Sequence, residues 1–184
     1  MTSWDSHIPE TLQPAHVVGL GLNHQEIERN EALDDGVIHD VNADPVLPFA
    51  DDTFDVVLNT VSVDYMTRPF ELFREVSRVL RPGGLFLVIF SNRMFLPKAV
   101  RVWREASDPE RMWIVEDYFR GSGAFGATSS AVSQGLPRPP DDPHAGQGIP
   151  SDPVHAVWAQ KPGGDPARPA RPELSFDNAP PWDE

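Results

Sequence analysis

The sequence predicts an α/β fold, a mostly parallel sheet with helices on both faces. Three observations carry this. Short apolar runs of strand length alternate with helical patterns through residues 1–120. One of those runs, LFLVIF at residues 85–90, is apolar at every position, which suits a strand buried on both faces. With 184 residues, the chain has room for one core of ordinary size and is too short for two typical domains.

The elements follow in order. HVVGLGL, residues 16–22, is a short apolar run suited to a buried strand. HQEIERNEALDD has helical character, with Asn23 or His24 as its cap. GVIHDV reads as a second strand, and DDTFDVVLNTVSV holds a third, centred on Phe54 to Leu58 after the turn residues Asp51 and Asp52. TRPFELFREVSRVL places Phe70, Phe73, Val76 or Ser77, and Leu80 on one helical face, with Thr67 as cap and Pro69 tolerated in the first turn. RPGG stops that helix, because Pro82 cannot continue it and the two glycines accept left-handed angles. After LFLVIF, Val100, Trp103 and Ala106 give an apolar stripe, and DPERMWIVEDYF is helical with Asp108 as cap.

Proline divides the chain, since twelve of its twenty prolines lie in residues 137–184 and deny both helix and sheet their backbone donors. Residues 121–150 read as a long irregular Pro/Gly-rich connection, and residues 162–184 as a disordered Pro-rich tail. Between them, PVHAVWAQK alternates Val154, Ala156 and Trp158 with more polar neighbours, the period of a half-buried strand. One domain over residues 1–161 follows.

Composition narrows the function. Twenty-eight acidic against fifteen basic residues give a net charge of −13, which repels a phosphate backbone, and no basic cluster offsets it, so nucleic acid is not an expected partner. There is no cysteine, hence no disulfide framework and no thiolate metal site, and a reducing cytoplasm is the expected home. No window reaches the roughly 18 apolar residues of a spanning helix, and no membrane partner is expected. The histidines show no pair at zinc-ligand spacing, so no metal is expected. Oligomeric state is not legible.

Two glycines, Gly19 and Gly21, with Asp40 some twenty residues on, match part of a dinucleotide-binding fingerprint. Against it, His24 stands at the third glycine position and the glycines interrupt the strand instead of following it.

A longer match points elsewhere. Residues 36–93 contain, in order, Asp40 ending a strand, Leu47-Pro48-Phe49, the acidic turn Asp51-Asp52, Phe54-Asp55-Val56-Val57, and Arg78 to Gly84 before an apolar strand. This resembles the class I S-adenosylmethionine-dependent methyltransferases and, within them, the type 11 methyltransferase group. The resemblance implies a Rossmann-like sheet and S-adenosylmethionine as cofactor, with Asp40 accepting from the adenine amino group, the amide of Val41 meeting the ring, and Leu47, Pro48 and Phe49 packed beneath it. Ligands of open α/β sheets lie outside the carboxyl ends of the strands, which adds Asn23, Asn59 and Thr60 to the cofactor-binding set. TSWDSHIP, residues 2–9, is similar to the cofactor loop of some relatives and adds Ser3 and Ser6.

The chain departs from the pattern twice. The acid that usually ends the second strand and holds the ribose hydroxyls falls near Gly21, which has no acceptor, so Asn23 or a main-chain group has to substitute. The family's first strand precedes the segment starting at His7, where only six residues stand. That strand lies mid-sheet in the family, between the second and fourth, so a chain lacking it leaves two neighbours without ladder partners. A reading frame that starts upstream is the expectation.

For chemistry, Asp64 and Tyr65 follow the third strand of this chain, the family's fourth, where the resemblance implies residues that face the substrate. Tyr65 is a candidate to stack near the methyl group and Asp64 a candidate base, beside the plainer readings of a helix cap and a buried aromatic. The expected function is S-adenosylmethionine-dependent methyl transfer to a small-molecule acceptor, which the acidic surface and aromatic-rich cover make neutral or cationic. A catalytically degenerate, methyltransferase-like interaction module is the alternative, and an NAD-type oxidoreductase the third.

Overall fold

The computed structural model describes Ile8 and residues 11–163, apart from Leu136, Pro139, Asp141, Pro143, Ala145, Gly146 and Ile149. Among the described residues, six strands and four α-helices follow one another as β1 (Val18–Gly21), α1 (His24–Glu28), β2 (Asp35–Ile38), β3 (Phe54–Thr60), α2 (Pro69–Val79), β4 (Leu80–Ser91), α3 (Arg101–Glu105), α4 (Asp108–Ser122), β5 (Ser129–Ser133) and β6 (Val154–Gln160). The fold is the α/β class expected. β1 and β2 pair in parallel as one ribbon, and the other strands form a sheet of order β3-β4-β6-β5, parallel at β3-β4 and antiparallel at its other two pairings. Among the described residues β1 pairs with β2 alone and β3 with β4 alone. These are the two strands expected to lack ladder partners.

The core lies between β4–β6 and helices α2 and α4. Alternation places Phe86, Val88 and Phe90 of β4 on the same face as Val157 and Ala159 of β6, all buried. Phe73 of α2, fully buried, meets Phe86 and Phe119 edge-on with ring centroids 4.9 Å from each. Burial of such a ring is worth about 1.5–3 kcal/mol, before the extra of edge-to-face packing. The intervening β4 residues Leu85, Leu87 and Ile89 are only half-buried, so the all-apolar run is fully buried on one face.

Several boundaries moved from expectation, each for a local reason. α1 is five residues long, because the Asn30 side chain accepts from Ala32 N at 3.1 Å and turns the chain. α2 buries Leu72, Phe73, Val76, Ser77 and Val79, while Phe70 is 43% exposed and leans edge-on against Tyr118. Thr67 does not cap α2, since its N–H and hydroxyl both donate to Asn42. RPGG sits inside β4: α2 already ends at Val79, its cap Leu80 having an extended ψ of 142°, and the register shift between Phe54 and Val56 absorbs the bulge. A Cβ on Gly84 would stand 2.8 Å from the Arg81 carbonyl, so only glycine fits there. Ser107, not Asp108, precedes α4, and Glu110 accepts from the Ser107 N–H at 2.7 Å.

At the C-terminal side, the connection 121–150 contains a strand, β5. Its residues are all exposed and its order comes from pairing with β6. β6 forms where expected with its faces exchanged: His155, Val157 and Ala159 are buried. His155 stacks on its cross-strand neighbour Phe90 with centroids 5.3 Å apart. The tail from residue 164 lies outside the described residues.

Candidate active site

Parallel pairing points the carboxyl ends of β1 and β2 the same way, and likewise those of β3 and β4. Two sets of polar side chains gather there. The first follows β2. Asp40 Oδ1 accepts from the Asn42 N–H at 2.9 Å and the Ala43 N–H at 3.4 Å, an Asx turn that fixes the carboxylate. Among the described residues, Asp40 Oδ2 and the Val41 N–H have no partner. An acceptor and a donor thus stand side by side, exposed or half-exposed, as a Watson–Crick adenine edge requires. Behind them Val41 and Phe49 pack against the main core, and Leu47 is part of it. Leu47 and Phe49 are held by Arg78, which donates to their carbonyls at 2.9 and 2.8 Å, while the Leu47 N–H donates to Glu75. The adenine end of the cofactor fits these residues.

The ribose end fits less well. Gly21 ends β1 without a side chain, and Asn23 caps α1, its Oδ1 accepting from Gln25 N at 3.0 Å and its Nδ2 donating to Glu26 at 3.2 Å. Gly19 faces the Leu33 side chain, where a Cβ would come within 2.4 Å of Leu33 Cδ1, so packing within the α1–β2 connection accounts for this glycine. Ser3 and Ser6 lie outside the described residues.

The second set follows β3. Asn59 is half-buried, its Nδ2 donating to Ser62 Oγ at 2.9 Å and its Oδ1 buried without a partner. Thr60 ends the strand beside Ile89, and the next residue, Val61, has φ of 45°, a left-handed conformation that a β-branched residue rarely adopts. A 3-10 turn, Val63–Tyr65, then presents Asp64 and Tyr65. Asp64 is buried, and burial pushes its carboxyl above the ordinary carboxylate value although its own backbone N–H, the Tyr65 hydroxyl and Arg111 pull it down. Burial, then the Asp64 charge, raises Tyr65, and the Phe95 main-chain N–H opposes the rise. A carboxylate of high proton affinity beside a phenol that stays protonated is an arrangement able to move a proton.

Asn42, which the sequence reading passed over, joins the two sets. Its Nδ2 donates to the Tyr65 carbonyl at 3.0 Å and its Oδ1 accepts from the Thr67 N–H at 2.9 Å. Arg111 is a second omission. Its buried guanidinium donates to the Trp103 carbonyl at 3.2 Å, the Asn92 carbonyl at 3.5 Å and Asp108 at 2.9 Å, so it clamps both ends of the segment after β4. The partners of Asn42 are distant in the chain, and Arg111 joins a neighbour three residues away, Asp108, to carbonyls at Trp103 and Asn92, so no short window marks either residue.

Residues 6–88 match the model of a methyltransferase domain family. The chain is 51% identical over 43 residues to the ubiquinone/menaquinone biosynthesis C-methyltransferase UbiE of Roseobacter denitrificans, an alignment covering 23% of this chain and 17% of that one. It is 42% identical over 88 residues to a fatty-acid O-methyltransferase of Mycolicibacterium smegmatis, covering 45% of this chain and 31% of the relative. The chain therefore spans less than a third of the length of these two relatives. Among solved structures, a SAM-dependent methyltransferase from Archaeoglobus fulgidus superposes with a TM-score of 0.53 at 14% identity, covering 78% of this chain and 75% of that one, which shows the shared fold. By its motifs and these matches, residues 6–88 are similar to the methyltransferase-domain family, and the chain shares the fold of S-adenosylmethionine-dependent methyltransferases.

Proposed function

We propose that the chain binds S-adenosylmethionine and methylates a small-molecule acceptor in the cytoplasm. The observation that carries the reading is the unpartnered acceptor–donor pair of Asp40 Oδ2 and Val41 N–H, tied through Asn42 to the Asp64–Tyr65 turn. Asp40 and Val41 would hold the adenine, with Phe49 and Leu47 behind it. The chemistry supplied by bound S-adenosylmethionine is a sulfonium methyl, whose carbon–sulfur electron pair returns to sulfur as a lone pair of the acceptor takes the carbon.

What this chain's residues contribute is position and proton handling. The Asx turn at Asp40 sets the cofactor end, Asn42 sets the distance from there to Tyr65, and Asp64 receives a proton through the Tyr65 hydroxyl. Among the described residues no helix is long and apolar enough to cross a membrane. The relatives' names include both a C- and an O-methyltransferase, and those names do not select the acceptor atom.

Titration calorimetry with S-adenosylhomocysteine tests the reading. The wild-type chain is expected to bind, and Asp40→Ala to weaken binding by about tenfold, the cost of one hydrogen bond to a charged group. Unchanged affinity in Asp40→Ala would remove the adenine assignment.

Gly21 and the committed Asn23 favour a second reading, a methyltransferase-like module that does not turn over. Absence of any S-adenosylhomocysteine response supports it. A response to NAD alone would revive the oxidoreductase.

A further inference from the structure

The segment after β4 is anchored at several points and still presents large apolar side chains to solvent. The N–H groups of Lys98 and Ala99 both donate to the Phe95 carbonyl, at 2.8 and 3.0 Å, which closes a tight turn. The Val100 N–H donates to the main-chain carbonyl of Asp64 at 2.9 Å, so the turn is fastened onto the Asp64–Tyr65 element. Met94 and Val100 pack inward against the core and Ala99 is buried. Phe95 and Leu96 remain 62% exposed each, although the chain around them is fixed. Val61, also exposed, has its left-handed backbone held by donation to the Ile89 carbonyl at 2.8 Å. Single exposed apolar residues are ordinary. Adjacent ones on a segment fastened to the main chain of the buried Asp64, with a strained backbone residue three positions before it, have the character of a binding site.

We propose that Phe95, Leu96 and Val61 form the acceptor subsite, and that the acceptor is a lipophilic alcohol or phenol whose hydroxyl meets Tyr65 and Asp64 while its apolar body covers Phe95 and Leu96. This rests on the methyltransferase reading above and narrows its acceptor. The polar groups select a hydroxyl. Arg111, the side-chain cation that acts on Asp64, is already committed to two carbonyls and Asp108, so it is not offered to an anionic acceptor. A polyol would set several hydroxyls against Phe95 and Leu96, where they lose hydration without finding partners. As the hydroxyl proton passes to Tyr65, the proton of Tyr65 passes to the Asp64 carboxylate, and the acceptor oxygen keeps the electron pair.

The test uses the full chain with 2-naphthol as probe and glycerol as polar control, by titration calorimetry with and without saturating S-adenosylhomocysteine. Wild type is expected to bind 2-naphthol and not glycerol. The double variant Phe95→Ala/Leu96→Ala is expected to lose about tenfold in 2-naphthol affinity, with the Kd for S-adenosylhomocysteine unchanged. Both side chains are exposed, so the variant keeps its core, and circular dichroism verifies this. Absent 2-naphthol binding, equal 2-naphthol affinity in variant and wild type, or glycerol binding as tightly, overturns the proposal. If 2-naphthol binds and responds to the variant while S-adenosylhomocysteine does not bind, the apolar subsite stands and the methyltransferase reading falls.

Discussion

The side-chain amide of Asn42 donates to the main-chain carbonyl of Tyr65 at 3.0 Å, across 23 residues of sequence. One residue after β2 thus sets the position of the turn after β3, with Oδ1 accepting twice from Thr67. Replacing Asn42 by Ala removes three partners of a part-buried network. A loss of about 1–3 kcal/mol in urea unfolding is expected, together with weaker S-adenosylhomocysteine binding. Full stability in Asn42→Ala would show the bridge to be incidental.

Asp64 couples stability to pH with a definite sign. Its folded pKa is raised by burial, so its contribution to stability is full below the unfolded value and is lost as pH rises through the folded one. At neutral pH the ionised carboxylate is a cost. Asp64→Asn is therefore expected to melt higher than wild type at pH 7, with the difference shrinking as pH falls into the ordinary carboxylate range. The same variant is expected to transfer methyl groups at least about 100-fold more slowly, and the wild-type acid limb to lie above the ordinary carboxylate range. A variant that melts lower at pH 7 with undiminished turnover would contradict both roles.

Arg78 and Glu75 behave in the opposite sense. The Arg78 guanidinium holds Glu75 below its ordinary value of 4.5, so this contribution is present above that pH and fades as pH falls through the lowered folded value. Because Arg78 also donates to Leu47, Phe49 and Asp51, its planar fork is not reproduced by lysine. Arg78→Lys is expected to cost about 2 kcal/mol in denaturant unfolding and to flatten the decline of melting temperature below pH 4.5. An unaltered acid profile would assign that decline to other groups.

Val61 stores backbone strain at φ 45°. Glycine accepts this conformation without the Cβ clash, worth roughly 1–2 kcal/mol, but loses more entropy on folding. Val61→Gly is expected to raise stability by up to about 1 kcal/mol by thermal unfolding while weakening 2-naphthol binding. Marked destabilisation would mean that the side chain is needed for packing.

Much of the fold was written in local pattern. β3, the glycine-bearing β1 and the apolar run of β4 stand where period and turn residues placed them, because each is a short apolar run bounded by turn residues that pairs in parallel with a neighbour, although β3 itself stays half-exposed. β5 escaped notice: SSAVS carries no apolar alternation, and an exposed edge strand is ordered by the ladder bonds that β6 offers. The exchange of faces in β6 has a related cause. Alternation marks a period of two without naming the inner face, and stacking of His155 on Phe90 decided it.

The candidate site divides along the same line. The sequence by itself pointed to the methyltransferase-like motif and placed Asp40, Asp64 and Tyr65 in the turns that follow β2 and β3, since order and spacing along the chain are local properties. Only the tertiary structure decided that Asn42 bridges them and that the segment after β4, which carries the exposed Phe95 and Leu96, is fastened to the main chain of the buried Asp64. Those facts depend on hydrogen bonds and burial between segments far apart in the chain, and no short window of residues records which distant partner a side chain will meet.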